Sequence, residues 1–513
     1  MASLARLTAV LRAPTLETVG RDLADFFDVD AIGMCTESDP GPQVVFQREA
    51  ISLPELAWRN NAELTVRLGE SLSAEAFRDD AGVWLITKVW EVDPGTEYLV
   101  WAFRKTDRGR TELSHTLWSF ASRGICRRHL QEVSAQAVAK EANARLELAA
   151  AMASRLSHDF GNHLTGIMGF TELSMFQLAT ESVPYRYMQE VLQAARVGAE
   201  WIHRIHQFTR RQAQPGWPAV VSHAIEAEEA RLRLTDSPHV HWQKEMPADL
   251  PLVAIEAASL QAILAELVAN AWEAAKGEVT VRLTARVVEL GEAEAGALLG
   301  AARSGPHVEL TVSNDGPGIP REHQGRLLRD IFFSTKPKHR GLGLLIAYGH
   351  LRRAGGGMRL AFGSEDTGPS VQLYLPVIQL DFPARSEAPS VLLVHSDVQA
   401  LASLRTVLEA DGCRVTSIGA HQTALGINLA AKPSFALIIM EMQSPQMNGV
   451  DLSRRILERN PSAHFLFLAD PAATRDPSAG ILLKRFPGCP WPVPIQAFLK
   501  SVHTALGDPD GAV

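Results

Sequence analysis

Ser157-His158-Asp159-Phe160-Gly161-Asn162-His163-Leu164-Thr165-Gly166-Ile167 sets a histidine beside an acid at what reads as the opening of an amphipathic helix. Upstream, residues 126–156 are continuous helix formers with no Gly or Pro between Arg127 and Ser157. Leu146, Ala149, Ala153 and Leu156 follow 3-4-3 spacing, an a/d-like seam of the kind that pairs helices. Downstream the pattern breaks around Glu181-Ser182-Val183-Pro184 and resumes with Met188, Leu192, Ala195, Ala199, Ile202 and Ile205 on one face. Residues 157–214 therefore read as a helical hairpin, and two such hairpins would make a four-helix bundle in a dimer. A lone amphipathic helix packed on its own domain is the other reading of 126–156.

The chemistry-bearing residues lie along this line. A phosphoryl acceptor needs an exposed imidazole nitrogen, and an adjacent acid can orient the ring and take its other proton. His158 has Asp159 beside it, and Asn162 stands one turn on, on the same face. A helical histidine is also often structural, and the chain has 17. About a hundred residues later Glu266 and Asn270 share a face of the apolar run Glu266-Leu267-Val268-Ala269-Asn270-Ala271. Hard oxygen donors there suit Mg²⁺ bridging phosphates; polar residues on the solvent side of a helix are the alternative. Asp315 follows the strand-like run Val308–Val312 and precedes Gly316-Pro317-Gly318. Those glycines permit a tight turn and a close ligand, leaving a carboxylate to accept from an adenine amino group. Phe332-Phe333-Ser334-Thr335-Lys336 and then Gly341-Leu342-Gly343 lead into another helix, whose N-terminus offers N–H groups to phosphates, with Lys336 as an added point charge.

Taken as an ordered set, these motifs resemble the catalytic core of histidine kinases, in the group whose acceptor box reads His-Asp-Phe-Asn-Asn. The resemblance covers about residues 150–378. It implies His158 as phosphoacceptor, Asp159 as its acid and Asn162 as the following polar residue. Asn270 matches the metal-binding asparagine; Glu266 is a candidate ligand only through its place on the same helix face. Asp315, Gly316 and Gly318 match the adenine-binding box, Phe332, Phe333, Thr335 and Lys336 the phenylalanine box, and Gly341, Leu342 and Gly343 the second glycine box. ATP and Mg²⁺ are the implied cofactors, and a homodimer and a separate response regulator the implied partners. Two departures stand out. Gly161 replaces the usual asparagine, and Lys338-His339-Arg340 stands where a further Gly-x-Gly-Thr is usual, so the lid over the nucleotide reads as short and stiff.

Residues 216–378 mix helices (255–276 and 340–354) with strands at Val279–Leu283, Val308–Val312 and Val371–Leu375, an α/β sandwich. A linker at 379–389 follows. Beyond it the strands Val391–Val394, Ala436–Met440 and Phe465–Leu468 alternate with helices, which predicts a doubly wound parallel sheet over 390–508. This segment resembles a response-regulator receiver domain in the runs Val391 to Asp397, Ala436 to Gly449 and Cys489 to Val502. A working receiver needs an acid cluster and an acceptor aspartate. Here His395 and Ser396 replace the acidic pair beside Asp397, and Glu441 stands at the acceptor position. Ala469 replaces the switch hydroxyl and Trp491 the lysine before Pro492, with Lys484 as a fallback. The expectation is a pseudo-receiver that neither holds Mg²⁺ well nor accepts phosphate.

Residues 1–125 open with a helical stretch, Leu4 to Phe27, followed by apolar runs at Asp30–Cys35, Gln43–Gln47, Val83–Thr87 and Glu97–Phe103. This order resembles a GAF-type sensory domain; nothing in it names a signal, and a ligand-free structural role is equally open. The whole chain of 513 residues is long enough for about three or four domains, giving a multidomain α+β and α/β class. A net charge of −8 argues against general nucleic-acid or membrane-surface binding. No long uncharged apolar run marks a membrane span and the start carries no signal-peptide core, so a cytoplasmic location is expected. The four cysteines, Cys35, Cys126, Cys413 and Cys489, are scattered without metal or redox spacing and read as buried small hydrophobes. Together these readings predict an autophosphorylating sensor histidine kinase. The alternatives are a pseudokinase scaffold acting by dimerisation, and an ATPase of the same sandwich fold outside signalling.

Overall fold

Alternating apolar residues in the N-terminal segment form an antiparallel sheet, and a helix with apolar residues at positions 19, 23, 24 and 27 covers it. The computed structural model describes residues 6–7, 10–11, 16–36, 43–47, 75–78, 82–89, 98–105, 115–209, 217–234, 240–275, 278–327, 330, 333–334, 341–363, 368–379, 388–419, 435–444, 447–469 and 477–507. They fall into two compact units, Met1–Ala139 and Lys140–Val513.

In the first unit, helix α1 (Leu16–Phe27) precedes β1 (Ala31–Thr36), β2 (Gln43–Gln47), β3 (Glu75–Arg78), β4 (Gly82–Val89) and β5 (Tyr98–Lys105). The sheet order is β2-β1-β5-β4-β3 with every pairing antiparallel. Leu23, Phe27, Met34, Val100 and Trp118 share its core, with Phe27 and Trp118 meeting edge to face at 5.3 Å. Trp118 belongs to helix α2, which runs unbroken over His115–Met175. The sequence boundary at 125/126 thus falls inside a helix, and the break between compact units comes at Ala139 instead. His158 likewise lies deep within α2 rather than at a helix opening.

In the second unit, α2 turns back through residues 176–182 into α3 (Val183–Thr209), so the hairpin break starts somewhat earlier than the Pro184 signal. Leu192 and Ala195 of α3 are buried as its periodicity predicts. The α2 seam differs from expectation. Ala142, Leu146 and Ala150 are buried in the core of the following α/β domain, Ala149 and Ala153 are half-buried, and Leu156 is exposed. Asn143 ties this stretch to that domain: its side chain donates to the Leu298 carbonyl at 3.2 Å and accepts from the Gly300 N–H at 2.9 Å.

That domain is a helix-on-sheet sandwich. Short strands β6 (Pro218–Ala219) and β8 (Val253–Glu256) pair at its edge. The main sheet joins β7 (Val240–Glu245), β9 (Val279–Leu290), β10 (Leu299–Gly300), β11 (Gly305–Asn314), β12 (Gly357–Ala361) and β13 (Ser370–Pro376) in the order β10-β12-β13-β11-β9-β7. Strict alternation places Val279, Val281, Leu283 and Ala285 inward and leaves Arg282 and Arg286 outward. Helices α4 (Val221–Leu234), α5 (Ala257–Ala275) and α6 (Gly343–Arg353) bury their apolar faces on it, through Ile225, Leu264, Val268, Ile346 and Leu351 among others.

The C-terminal segment carries a further sheet. Strands β14 (Ser390–His395), β15 (Arg414–Gly419), β16 (Leu437–Glu441), β19 (Phe465–Ala469) and β20 (Gly488–Pro490) form a wholly parallel sheet in the order β15-β14-β16-β19-β20. A small hairpin, β17 (Gln443–Ser444) and β18 (Met447–Asn448), follows β16. Helices α7 (Val398–Ala410), α8 (Gly449–Arg459) and α9 (Pro477–Arg485) lie between strands and α10 (Ile495–Leu506) follows the last one, with the strands in the 2-1-3-4-5 order of a doubly wound sheet. Trp217, just before β6, inserts into this domain's core, 4.8 Å from Trp491 and 5.1 Å edge to face from Phe498. Ser403 of α7 donates to the Pro218 carbonyl at 2.6 Å, so the two α/β domains share a packed, hydrogen-bonded seam. Cys126, Cys413 and Cys489 are buried and free, and no helix among the described residues is long and apolar enough to cross a membrane.

Candidate functional site

A cleft of about 1470 Å³ opens on the helical layer of the sandwich. One end is polar. Helix α5 is apolar toward the sheet, which leaves Glu266 and Asn270 on the cleft wall. Opposite them, Gly341 has φ 63°, a left-handed turn that side chains resist, and Gly343 begins α6. A Cβ on Gly343 would stand 2.9 Å from a Glu266 carboxylate oxygen and 3.0 Å from the Asn270 amide nitrogen. Glycine at 343 is what lets a helix N-terminus approach these two side chains, and that terminus carries a partial positive charge.

The hairpin contributes to the same wall. Trp201 and Arg204 of α3 line the cleft, and Arg204 Nη2 donates to both Glu266 oxygens at 2.8 and 2.7 Å. Arg231 of α4 also lines it, clamped by a two-pronged bond to the fully buried Glu228. Neither arginine was singled out from sequence. Their signal is faint, because an arginine on an amphipathic helix is usually a solvated charge.

The other end is apolar, walled by Ile319, Leu327, Leu360, Phe362 and Val371. Phe333 closes it, held between the His323 ring at 5.6 Å and the Arg326 guanidinium at 4.2 Å. Gly318 lines this end, and Gly316 sits behind Asn314: a Cβ there would meet the Asn314 amide nitrogen at 2.6 Å.

Asp315 does not sit as expected. It is absent from the cleft wall, and its carboxylate accepts the Thr280 N–H at 2.9 Å. Partial burial pushes this carboxyl up, but bonds from the Thr280 backbone and hydroxyl and from its own N–H outweigh that and hold it below the usual carboxylate range. The preceding residue, Asn314, faces the cleft instead. The reason is the strand's period of two: β11 still pairs with β9 at Asn314↔Val281, so adjacent side chains there point to opposite faces. Counting that alternation on from the inward-facing Val312 leads to Asn314.

His158, Asp159 and Asn162 lie elsewhere, exposed on α2 and off the cleft wall. His158 Nδ1 and Asp159 Oδ1 are 3.2 Å apart, with side-chain exposures of 73% and 74%. Thr335 and Lys336 lie outside the described residues, as do Phe332 and Lys338-His339-Arg340.

Glu441 ends β16 in a separate, closed cluster. The Ser396 N–H and hydroxyl both donate to its Oε2, at 3.1 and 2.6 Å. His395 is buried beside them. Its Nδ1 accepts the Asp397 N–H at 3.0 Å, which leaves the ring proton on Nε2. Burial lowers the His395 pKa, against the pull of Glu441 and Asp397. Asp397 spends one oxygen capping α7 through Gln399 and Ala400. Trp491 packs edge to face on His395 at 5.5 Å.

Residues 255–379, which hold most of the cleft, match the family of histidine kinase-, DNA gyrase B-, and HSP90-like ATPases. Sensor kinases are among the chain's relatives. It is 24% identical over 350 residues to the sensor kinase CckA of Brucella abortus, covering 63% of this chain and 36% of that one. It is 28% identical over 331 residues to the virulence sensor protein BvgS of Bordetella parapertussis, covering 59% of this chain and 25% of that one. Among solved structures, full-length ShkA in complex with AMPPNP overlaps 69% of this chain and 72% of its own, at 19% identity and a TM-score of 0.34. The chain thus spans about a third or less of CckA and BvgS, and its residues 255–379 match the ATPase domain that histidine kinases share with DNA gyrase B and HSP90.

Proposed function

We propose that this protein is a sensor histidine kinase: it binds ATP with Mg²⁺ in the cleft, phosphorylates His158, and passes the phosphoryl group to an aspartate on a separate response regulator. The observation that carries the reading is the cleft's polarity. An apolar end suited to a base lies across from a helix N-terminus flanked by Asn270 and Glu266. Asn270 and Glu266 lie side by side against Gly343 and would hold the ion through an amide oxygen and a carboxylate, hard donors of the kind Mg²⁺ takes. Bound there, Mg²⁺ would neutralise charge developing on the phosphates.

The chain's own groups do the rest. Asp159 beside Nδ1 holds the proton there, leaving the Nε2 lone pair of His158 to attack. The Nε2–P bond forms as the bond from the γ-phosphorus to the bridging oxygen breaks; ADP leaves, and Asp159 takes the Nδ1 proton. Because His158 is off the cleft wall, cleft and histidine must approach each other, and catalysis is largely positioning. Exposed apolar residues on the hairpin, Phe160, Ile167, Phe170, Leu173 and Tyr187, support a homodimer bundle in this reading. The N-terminal unit acts as a GAF-like signal input through α2. The C-terminal sheet acts as a pseudo-receiver, because Glu441 is already satisfied by Ser396. A cytoplasmic site of action goes with these partners.

One observation favours a scaffold without turnover: Glu266 is held by Arg204 rather than open to an ion. Calorimetry separates the readings. The full chain titrated with ATP and Mg²⁺ should bind, and Asn270→Ala should weaken binding at least about tenfold in Mg²⁺. No binding by the unaltered chain would move the assignment to the scaffold.

A further inference from the structure

One polar group at the apolar end of the cleft is an amide. Asn314 ends β11 and lines the cleft, and its Nδ2 is shielded from solvent with no hydrogen-bond partner among the described residues. Its backbone is pinned. The N–H donates to the Pro369 carbonyl at 3.4 Å, and a Cβ on Gly368 would stand 1.7 Å from the Asn314 carbonyl oxygen. Its side chain rests against Gly316, where any Cβ would clash. Around it, Ile319, Leu360, Phe362 and Val371 offer apolar surface to a flat ring. The nearby carboxylate, Asp315, is turned away and bonded to Thr280. The lining carboxylates, Glu266 and Glu273, both sit on α5.

We infer that Asn314 reads the 6-position of a purine nucleotide and does so without choosing between an amino group and a carbonyl, so that the cleft takes guanine and hypoxanthine nucleotides as well as adenine ones. The inference rests on reading the cleft as a nucleotide site. Its chemical basis is the two-faced amide. Oδ1 accepts from a 6-amino group, and rotation of the amide by half a turn presents Nδ2–H₂ to a 6-carbonyl. An ionised carboxylate at this position could only accept, and would repel the 6-carbonyl of guanine or hypoxanthine. An unpartnered, shielded N–H₂ group also favours a ligand that brings it an acceptor.

Diphosphates avoid turnover and isolate the base. ADP, GDP and IDP should compete for the full chain with affinities within about fivefold of one another. Asn314→Asp should open a gap of at least about tenfold in favour of ADP, the size of one hydrogen bond exchanged for a repulsion. Asn314→Ala should weaken all three alike and leave their ratios near one. If the unaltered chain prefers ADP by about a hundredfold, and Asn314→Asp leaves that ratio unchanged, the base-reading role is overturned while the nucleotide site stands. If none of the three binds, both readings fall together.

Discussion

Replacing Arg204 with methionine tests how the hairpin and the ATPase domain share one site. Arg204 bonds both oxygens of Glu266, which stand beside Gly343 at the phosphate end of the cleft. A triphosphate bound there would face the Glu266 carboxylate, and Arg204 offsets that repulsion. Two unit charges about 4 Å apart interact by about 4 kcal/mol at an effective dielectric of 20. Arg204 and Glu266 are 37% and 22% exposed, so solvent screens the pair. We discount the figure to about 1–2 kcal/mol. Arg204→Met should therefore weaken ATP binding about 5- to 30-fold in EDTA. Mg²⁺ should shrink that loss, because the cation takes over the neutralising role. Glu266→Gln added to Arg204→Met should recover most of the affinity, since it removes the charge left behind. Calorimetric titration of these three proteins and of the Glu266→Gln single variant, with and without Mg²⁺, gives the coupling directly. ATP binding by Arg204→Met in EDTA that equals or exceeds that of the unaltered protein would refute the reasoning.

Three further outcomes follow from the geometry. Asp315→Asn should change nucleotide affinity by less than about threefold, because the side chain is exposed and serves Thr280 rather than the cleft; a large loss would return Asp315 to the site. Trp217→Ala should cost the C-terminal domain about 3–5 kcal/mol in urea unfolding, as it empties a buried aromatic site between Trp491 and Phe498. A cost under about 1 kcal/mol would mean the seam between the two α/β domains is loose. His395 gives a pH dependence. Its folded-state pKa lies below the usual 6.5, so under mild acid the unfolded chain takes up a proton that the folded chain does not. Stability from this group is complete above 6.5 and declines as pH falls from there toward the folded value. The unfolding midpoint of the C-terminal domain should drop over that window, and His395→Phe should flatten the drop.

The periodic parts of this molecule were legible as sequence. The α3 face at Leu192 and Ala195, the alternation in β9 and β11, and the parallel strands of the C-terminal sheet all follow from spacing alone. Short or two-sided elements were not: β7, β8, β10 and β12 carry little pattern and are set by their neighbours in the sheet. The α2 seam misled because an apolar stripe states that something covers it, not what. Leu146 is covered by the same unit's own sandwich core. At the site, Glu266, Asn270 and Gly343 sit around the cleft because they ride on a strongly patterned helix or are a glycine that backbone geometry demands. Asp315 went astray by one residue, and in a strand one residue reverses the face. Arg204 and Arg231 were invisible because their roles depend on where another helix packs.

The most direct test is to incubate the full chain, and its His158→Ala variant, with γ-labelled ATP and Mg²⁺ and to follow label on the protein beside free phosphate. A histidine kinase acting through His158 gives acid-labile, base-stable label on the protein that is absent from the variant. Steady phosphate release with no labelled protein, or label that survives in His158→Ala, would contradict it.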